Sequence, residues 1–385
     1  MAEQPTNEIM QFLAGQKEAM VALLAELVNI DSGSYNKAGV DAVGARLRQH
    51  LESEGILCET IPNDTYGDCL RAAVPGGPGN GQILLMGHRD TVFPDGTAAA
   101  RPFRIEGDRA TGPGVADMKA GLVMNSFVLA AFKRFGGAPC PLVGLYTADE
   151  EIASPSSRPI IEAEARRSRA VFNAEPGRPS GNVVTQRKGA AFIRFEVTGK
   201  ATHSGVDHRG GISAIEALCR KVQRLHALTD YEAGTTVNVG LVKGGTAVNT
   251  VAAEATGEVD IRYQSLAIME EVLARVQRIC TAEELPGSRG RILHEGRFLP
   301  LTPSAASKEL LDLYASSASD LGFAVAGEAT GGSADSGFTA ACGATTLCGT
   351  GPVGGNPHRD DEWCRLDTIV PRAQALALTI LKMNG

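Results

Sequence analysis

The 385-residue chain is predicted to fold as an α/β protein interrupted by an inserted α+β unit. Short apolar runs, 83–86, 141–146 and 170–174, each end abruptly in polar residues, as buried parallel strands do. Between about 190 and 282 the pattern changes to alternating strands around two helices, and strand–helix patterning resumes after about 298. The chain is also too long for one ordinary core. The expected partition is therefore 1–187, 188–298 and 299–385, with the outer two parts forming one domain.

Bulk properties narrow the classes. Hydrophobic content of 43% and charged content of 21% fit a globular protein. A net charge of -7 gives no electrostatic reason to bind nucleic acid or an anionic membrane. The first eight residues have no basic segment leading into an apolar core, and no apolar run reads as long enough to span a bilayer. The eight cysteines are scattered without a C-x-x-C pair. They read as buried, reduced thiols of a cytoplasmic protein.

In chain order, helical periodicity runs from about Glu8 to Ile30, with Phe12, Leu13, Val21, Leu24, Leu27 and Val28 on one face. A second amphipathic helix is expected from about Gly39 to Ser53, stopping at Gly55. Strands follow at about 56–61 and 69–74, then the apolar run ending in His88-x-Asp90. Two side chains at period two project the same way at the carboxyl edge of a sheet, where open α/β sheets carry their sites. A capped turn explains the same pair.

Asp117 precedes an apolar helix predicted from about Met118 to Phe135. A plain N-cap accounts for it locally. The next strand ends in Asp149-Glu150-Glu151, and another ends before Glu175. Acids at a strand end usually mean a solvated loop. Here one histidine and several carboxylates converge on one sheet edge, and a cation is needed to offset their repulsion.

Residues 190–198 alternate like a half-exposed antiparallel strand, and His203-Ser-Gly follows in a loop. A helix at about 212–226, strands at about 235–242 and 250–263, and a helix at about 268–282 make a β-α-β-β-α-β-like block. A helix is expected at 304–321, a loop at 330–337, a strand at 343–348, a glycine loop to His358 and a closing helix at 366–381.

Seven pieces, in order, carry a resemblance: His88-x-Asp90, Gly114-x-x-Asp117-x-Lys119, Asp149-Glu150-Glu151, Glu175-Pro-Gly, His203-Ser-Gly, Asp260-Ile-Arg262-Tyr and His358-x-x-x-Glu362. The chain resembles the co-catalytic di-zinc aminoacylase and carboxypeptidase family. That family includes acetylornithine deacetylases, succinyl-diaminopimelate desuccinylases, dipeptidases and folate-hydrolysing glutamate carboxypeptidases. Ala120 and Ser333-Ala334-Asp335 depart from the usual glycines, and neither change touches a ligand position.

The resemblance implies a zinc-peptidase catalytic domain with a mixed sheet, and an inserted, ferredoxin-like dimerisation domain. It implies two Zn²⁺ ions, with Co²⁺ or Mn²⁺ as substitutes. His88 and His358 would each serve one ion, Asp117 would bridge them, and Glu151 and Glu175 would complete one each. Glu150 would be the general base acting on a metal-bridging water, and Asp90 would orient His88. The sequence alone leaves Glu150 and Glu151 interchangeable: adjacent side chains point apart, and only the family order makes the second the ligand.

His203 is either a surface residue or an oxyanion donor delivered from the partner of a homodimer. Asn249 matches a position that meets substrate. Arg262 and Arg297 are candidate carboxylate clamps, although arginines on strands are usually solvated. His294-Glu-Gly-Arg297 is most similar to the glutamate carboxypeptidase type. The expected activity is hydrolysis of an amide or peptide bond next to a free α-carboxylate, in a small N-acyl amino acid or peptide. Deacylation of other N-acyl amino acids and dipeptidase activity are the alternatives. A non-catalytic binding protein would be expected to have lost part of this set, and it has not.

Overall fold

A computed structural model describes residues 3–383. It has two compact units: Met1–Gln186 with Pro303–Ala329 and Phe338–Gly385, and Arg187–Thr302 with Thr330–Gly337.

The first unit is built on an eight-stranded mixed sheet ordered 57–61, 69–74, 142–147, 82–88, 168–173, 345–348, 183–187, 327–330. Its central four strands, Leu142–Thr147, Gln82–His88, Ser168–Asn173 and Thr345–Cys348, run parallel. The strand Gln82–His88 is buried along its whole length, so its residues are apolar on both faces rather than alternating. Parallel neighbours present their carboxyl ends on one edge, and that edge receives His88, the 149–151 turn, Glu175 and the loop to His358.

The helix Ala120–Phe135 covers the sheet and is buried all round for most of its length. The stretch Val115–Phe135 is in fact long and apolar enough to cross a membrane, contrary to the expectation from sequence. It is 94% buried inside the fold, which is the environment of a core helix.

Other elements differ from expectation for local reasons. The first helical stretch is two helices, Glu3–Ala14 and Lys17–Val28, parted at Gly15, whose flexible backbone costs a helix about 1 kcal/mol. A helix at Arg158–Ala165 and a strand at Val183–Arg187 are additional to the elements expected from the sequence pattern. The glycine loop before His358 contributes Gly354–Gly355 to a small sheet with Trp363–Arg365, Arg109–Thr111 and Arg104–Glu106. The eight cysteines are free, but Cys219 is exposed and Cys58 and Cys342 are half-buried, so only five fit the expectation of burial.

The second unit is a four-stranded antiparallel sheet ordered 236–244, 254–263, 189–198, 289–298, carrying the helices Ala214–His226 and Leu266–Thr281. The connection β-α-β-β-α-β with this strand order is a ferredoxin-like sheet. The segment Thr330–Gly337 belongs to this unit rather than to the surrounding chain. The Lys188 amide donates to the Thr330 carbonyl at 3.3 Å, and Ser333 Oγ donates to the Lys188 carbonyl at 2.9 Å.

Candidate metal centre

The strand Gln82–His88 delivers its last side chain, His88, to the carboxyl edge with only 2% exposure. Arg89 turns the other way and is buried. It donates to the main-chain carbonyls of Val40 and Thr147 at 3.0 and 3.3 Å and so ties the strand end to its surroundings. Asp90 is fully buried and accepts from Ser34 Oγ at 2.7 Å and from the amides of Glu150 and Glu151 at 3.1 and 3.0 Å. One carboxylate thereby fixes the turn that carries the two glutamates. The Asp90 carbonyl lies 3.0 Å from His88 Nδ1, which leaves Nε2 of that ring facing the acids.

Asp117 stands between the two histidines. Its Oδ1 is 3.1 Å from His88 Nε2, and its Oδ2 is 3.4 Å from His358 Nε2. Glu151 Oε2 is 3.1 Å from His358 Nε2. Glu175 Oε1 and Glu150 Oε2 are 3.6 and 3.9 Å from His88 Nε2. The five expected ligands and Glu150 are therefore gathered at one place, with ligand atoms of His88, Asp117 and Glu151, and of His88, Glu150 and Glu175, mutually within 4.8 Å.

The electrostatics show what this donor set lacks. Burial, reinforced by the charge of Asp117, pushes the Glu151 carboxyl up to about 7. The hydrogen bonds of Asp117 and Glu151 push His358 up to about 11. Burial opposes a charge on His88, yet Glu150, Asp117, Asp90 and Glu175 together raise it well above the usual histidine range. The cluster thus keeps protons on its two imidazoles and favours one on Glu151, while the histidines hold Asp117 below the usual carboxylate range. Divalent cations would displace those protons, and imidazole with carboxylate is the donor set that zinc-like ions take. The residues present fit the metal.

Three residues to which the sequence pattern assigned no role complete the site. Glu362 is fully buried and accepts from the amides of Gly114, Ala116 and Asp117 at 3.0, 2.8 and 2.9 Å, which shapes the turn presenting Asp117. Burial raises its carboxyl to about 7 despite those donors. Lys119 is buried, with Nζ donating to the Ile30 carbonyl at 2.9 Å, and burial lowers it to about 7. Asp149 accepts from the amide and Oγ of Ser156 at 2.7 and 2.6 Å and braces the acidic turn from behind. The spacing of Glu362 from His358, one helical turn, was the available signal for the first.

The remaining candidates lie in the second unit. His203 is exposed, and the Gly205 amide donates to its Nδ1 at 3.2 Å. Asn249 is close by, its carbonyl accepting from the Ser204 amide at 3.0 Å. Arg262 holds Asp260 bidentately at 2.8 and 2.7 Å and stacks over Phe192. Arg297 pairs with Glu295. Arg262 is in register with Ala190 and Arg297 with Ala191, so the two guanidinium groups leave opposite faces of the sheet. One carboxylate cannot be gripped by both from the same chain.

A mixed sheet whose parallel core carries a histidine–carboxylate cluster at its carboxyl edge defines a metal-dependent hydrolase of the α/β class. Residues 84–382 match the model of Peptidase family M20/M25/M40, and the chain belongs to that family. It is similar to Carboxypeptidase G2 of Pseudomonas sp. (strain RS-16), 27% identical over 100% of this chain and 94% of that protein. It is also similar to the acetylornithine deacetylase of Myxococcus xanthus, 33% identical over 60% of this chain and 64% of the relative. Among solved structures, the M20 family metallo-carboxypeptidase Sso-CP2 from Sulfolobus solfataricus shares the fold. The TM-score is 0.78 at 17% identity, over 94% of this chain and 98% of that one.

Proposed function

We propose that this hydrolase cleaves an amide or peptide bond next to a free α-carboxylate, in the manner of a glutamate carboxypeptidase. The observation that carries the reading is Asp117, whose two oxygens face one histidine each. A carboxylate so placed suits a pair of cations, with His88 and Glu175 on one side and His358 and Glu151 on the other. Two such ions, Zn²⁺ or in its place Co²⁺ or Mn²⁺, supply Lewis acidity toward the scissile carbonyl and a more acidic water.

The chain's own residues do the rest. Glu150, whose carboxylate lies beside His88 and Glu175, takes the proton of the attacking water and passes it to the leaving nitrogen. Asp90 and Glu362 hold the turns that carry Glu150, Glu151 and Asp117. His203 acts on the substrate from the second unit of a partner chain in a homodimer, Asn249 meets the substrate, and Arg262 or Arg297 meets the α-carboxylate. Similarity to Carboxypeptidase G2 along the whole chain supports this choice of substrate. Similarity to acetylornithine deacetylases supports the second reading, deacylation of other N-acyl amino acids.

A panel of acetyl-, benzoyl- and pteroyl-linked glutamate, aspartate and neutral amino acids, with dipeptides, decides between them. The zinc-loaded protein should prefer the glutamate series and lose activity to chelators. Elemental analysis should find two ions per chain. A protein without transition metal, or one indifferent to chelator, would refute the reading.

A further inference from the structure

Arg372, on the closing helix Ile369–Lys382, is only 1% exposed although it carries a charge. Among the described residues its hydrogen-bond partners are main-chain carbonyls. Nη1 donates to those of Gly349 and Gly351 at 3.1 and 2.9 Å, and Nη2 to those of Gly181 and, at 3.4 Å, Asn182. Burying a guanidinium is costly unless its donors are used. A planar fork with fixed N–H directions can hold two chain segments at once. The two segments here are the loop that follows Glu175 and the glycine loop that leads to His358, both within the first unit.

Further main-chain contacts join the same two loops to the candidate ligands. The Gly351 amide donates to the Glu175 carbonyl at 3.0 Å, and the Thr350 amide to the Asn173 carbonyl at 3.3 Å. The Gly177 amide donates back to the Pro352 carbonyl at 2.9 Å, and the Gly354 amide to the Gly177 carbonyl at 3.0 Å. Gly177 lies directly on the guanidinium: a Cβ there would stand 2.6 Å from Cζ and 2.7 and 2.8 Å from Nη1 and Nη2. Beyond Gly354, His358 adopts a left-handed backbone with a φ of 63°. That conformation costs a non-glycine residue energy and has to be held by its surroundings. In the proposed arrangement Glu175 and His358 serve different ions, so one arginine underlies both halves of the centre.

We infer that Arg372 is a positioning residue that clamps the Glu175 and His358 loops together and so sets both ion sites at once. The inference rests on the two-ion reading above. Its test compares Arg372→Lys, which keeps a charge but not the fork, with wild type by two measurements. Hydrogen–deuterium exchange of the metal-free protein should become faster across both 173–177 and 349–358. Zinc titration against a chromogenic chelator should show both binding steps weakened about 10–100-fold, the usual effect of losing a residue that orients ligands. Gly177→Ala, whose methyl displaces the guanidinium without removing it, should move both measurements the same way, and it carries the test where Arg372→Lys does not fold. Leu51→Ala lowers stability through the core alone, so at a matched unfolding midpoint it should move neither. Exchange or affinity altered at one loop or one ion only, no change in either loop variant, or an equal change in Leu51→Ala would overturn the assignment. If wild type takes up no zinc, the two-ion reading fails, and exchange in the two loops still decides the clamp.

Discussion

Glu150→Gln separates proton transfer from metal binding. The amide keeps the shape of the side chain and its place beside His88, 3.9 Å away, but cannot take a proton. The variant should keep its metal by elemental analysis and lose turnover by about 10²–10⁴-fold. A near-wild-type rate would mean that Glu150 is not the base. Asp149, which accepts from the amide and Oγ of Ser156, would then be the next residue to test. At this scale the sequence was informative where chemistry is bound to position. His88 and Glu175 end or follow apolar strands, Asp117 precedes an apolar helix and His358 closes a glycine loop, and their side chains lie close together. It was silent where one residue serves another through the main chain. The carboxylate of Glu362 binds three amides about 245 positions earlier, and no local pattern announces such a contact.

Among elements, the approach of the helix Ala120–Phe135 to Ala174, just past the strand Ser168–Asn173, shapes the centre, because Asp117 precedes the one and Glu175 follows the other. Gly121 permits their approach: a Cβ there would lie 2.0 Å from the Ala174 carbonyl oxygen. Gly121→Ala therefore sets two effects against each other. Alanine favours the helix by about 1 kcal/mol. The clash is with backbone, which cannot swing aside, and overpacking of this kind costs about 1–3 kcal/mol. The clash should win, lowering the unfolding midpoint and loosening metal binding. Gly331→Ala, with nothing within 4 Å, should leave the midpoint unchanged. A Gly121→Ala protein as stable as wild type would show that the helix can slide. Strands of this kind were legible from their apolar runs, since burial on both faces dictates composition. The break at Gly15 and the short pairing of Gly354–Gly355 were not, since a single residue and a two-residue bridge leave no periodicity.

The molecule as a whole divides its candidates between two units, with the cluster on the first and His203 and Asn249 on the second. If the homodimer brings His203 of one chain to the cluster of the other, the two lesions His203→Ala and Glu150→Gln belong to different sites in a mixed pair. One site then carries both lesions and the other none. At complete subunit exchange about half the dimers are mixed by simple counting, each with one intact site, so activity should recover to roughly a quarter of wild type. If His203 serves its own chain, every site in the mixture carries one lesion and nothing is restored. The measurement is hydrolysis after exchange, in a preparation shown by mass spectrometry to contain heterodimers. Recovery requires both the dimer and the crossing of His203 between chains, because neither alone separates the two lesions. Absence of recovery among proven heterodimers rules out the shared site and leaves His203 a residue of its own chain's surface.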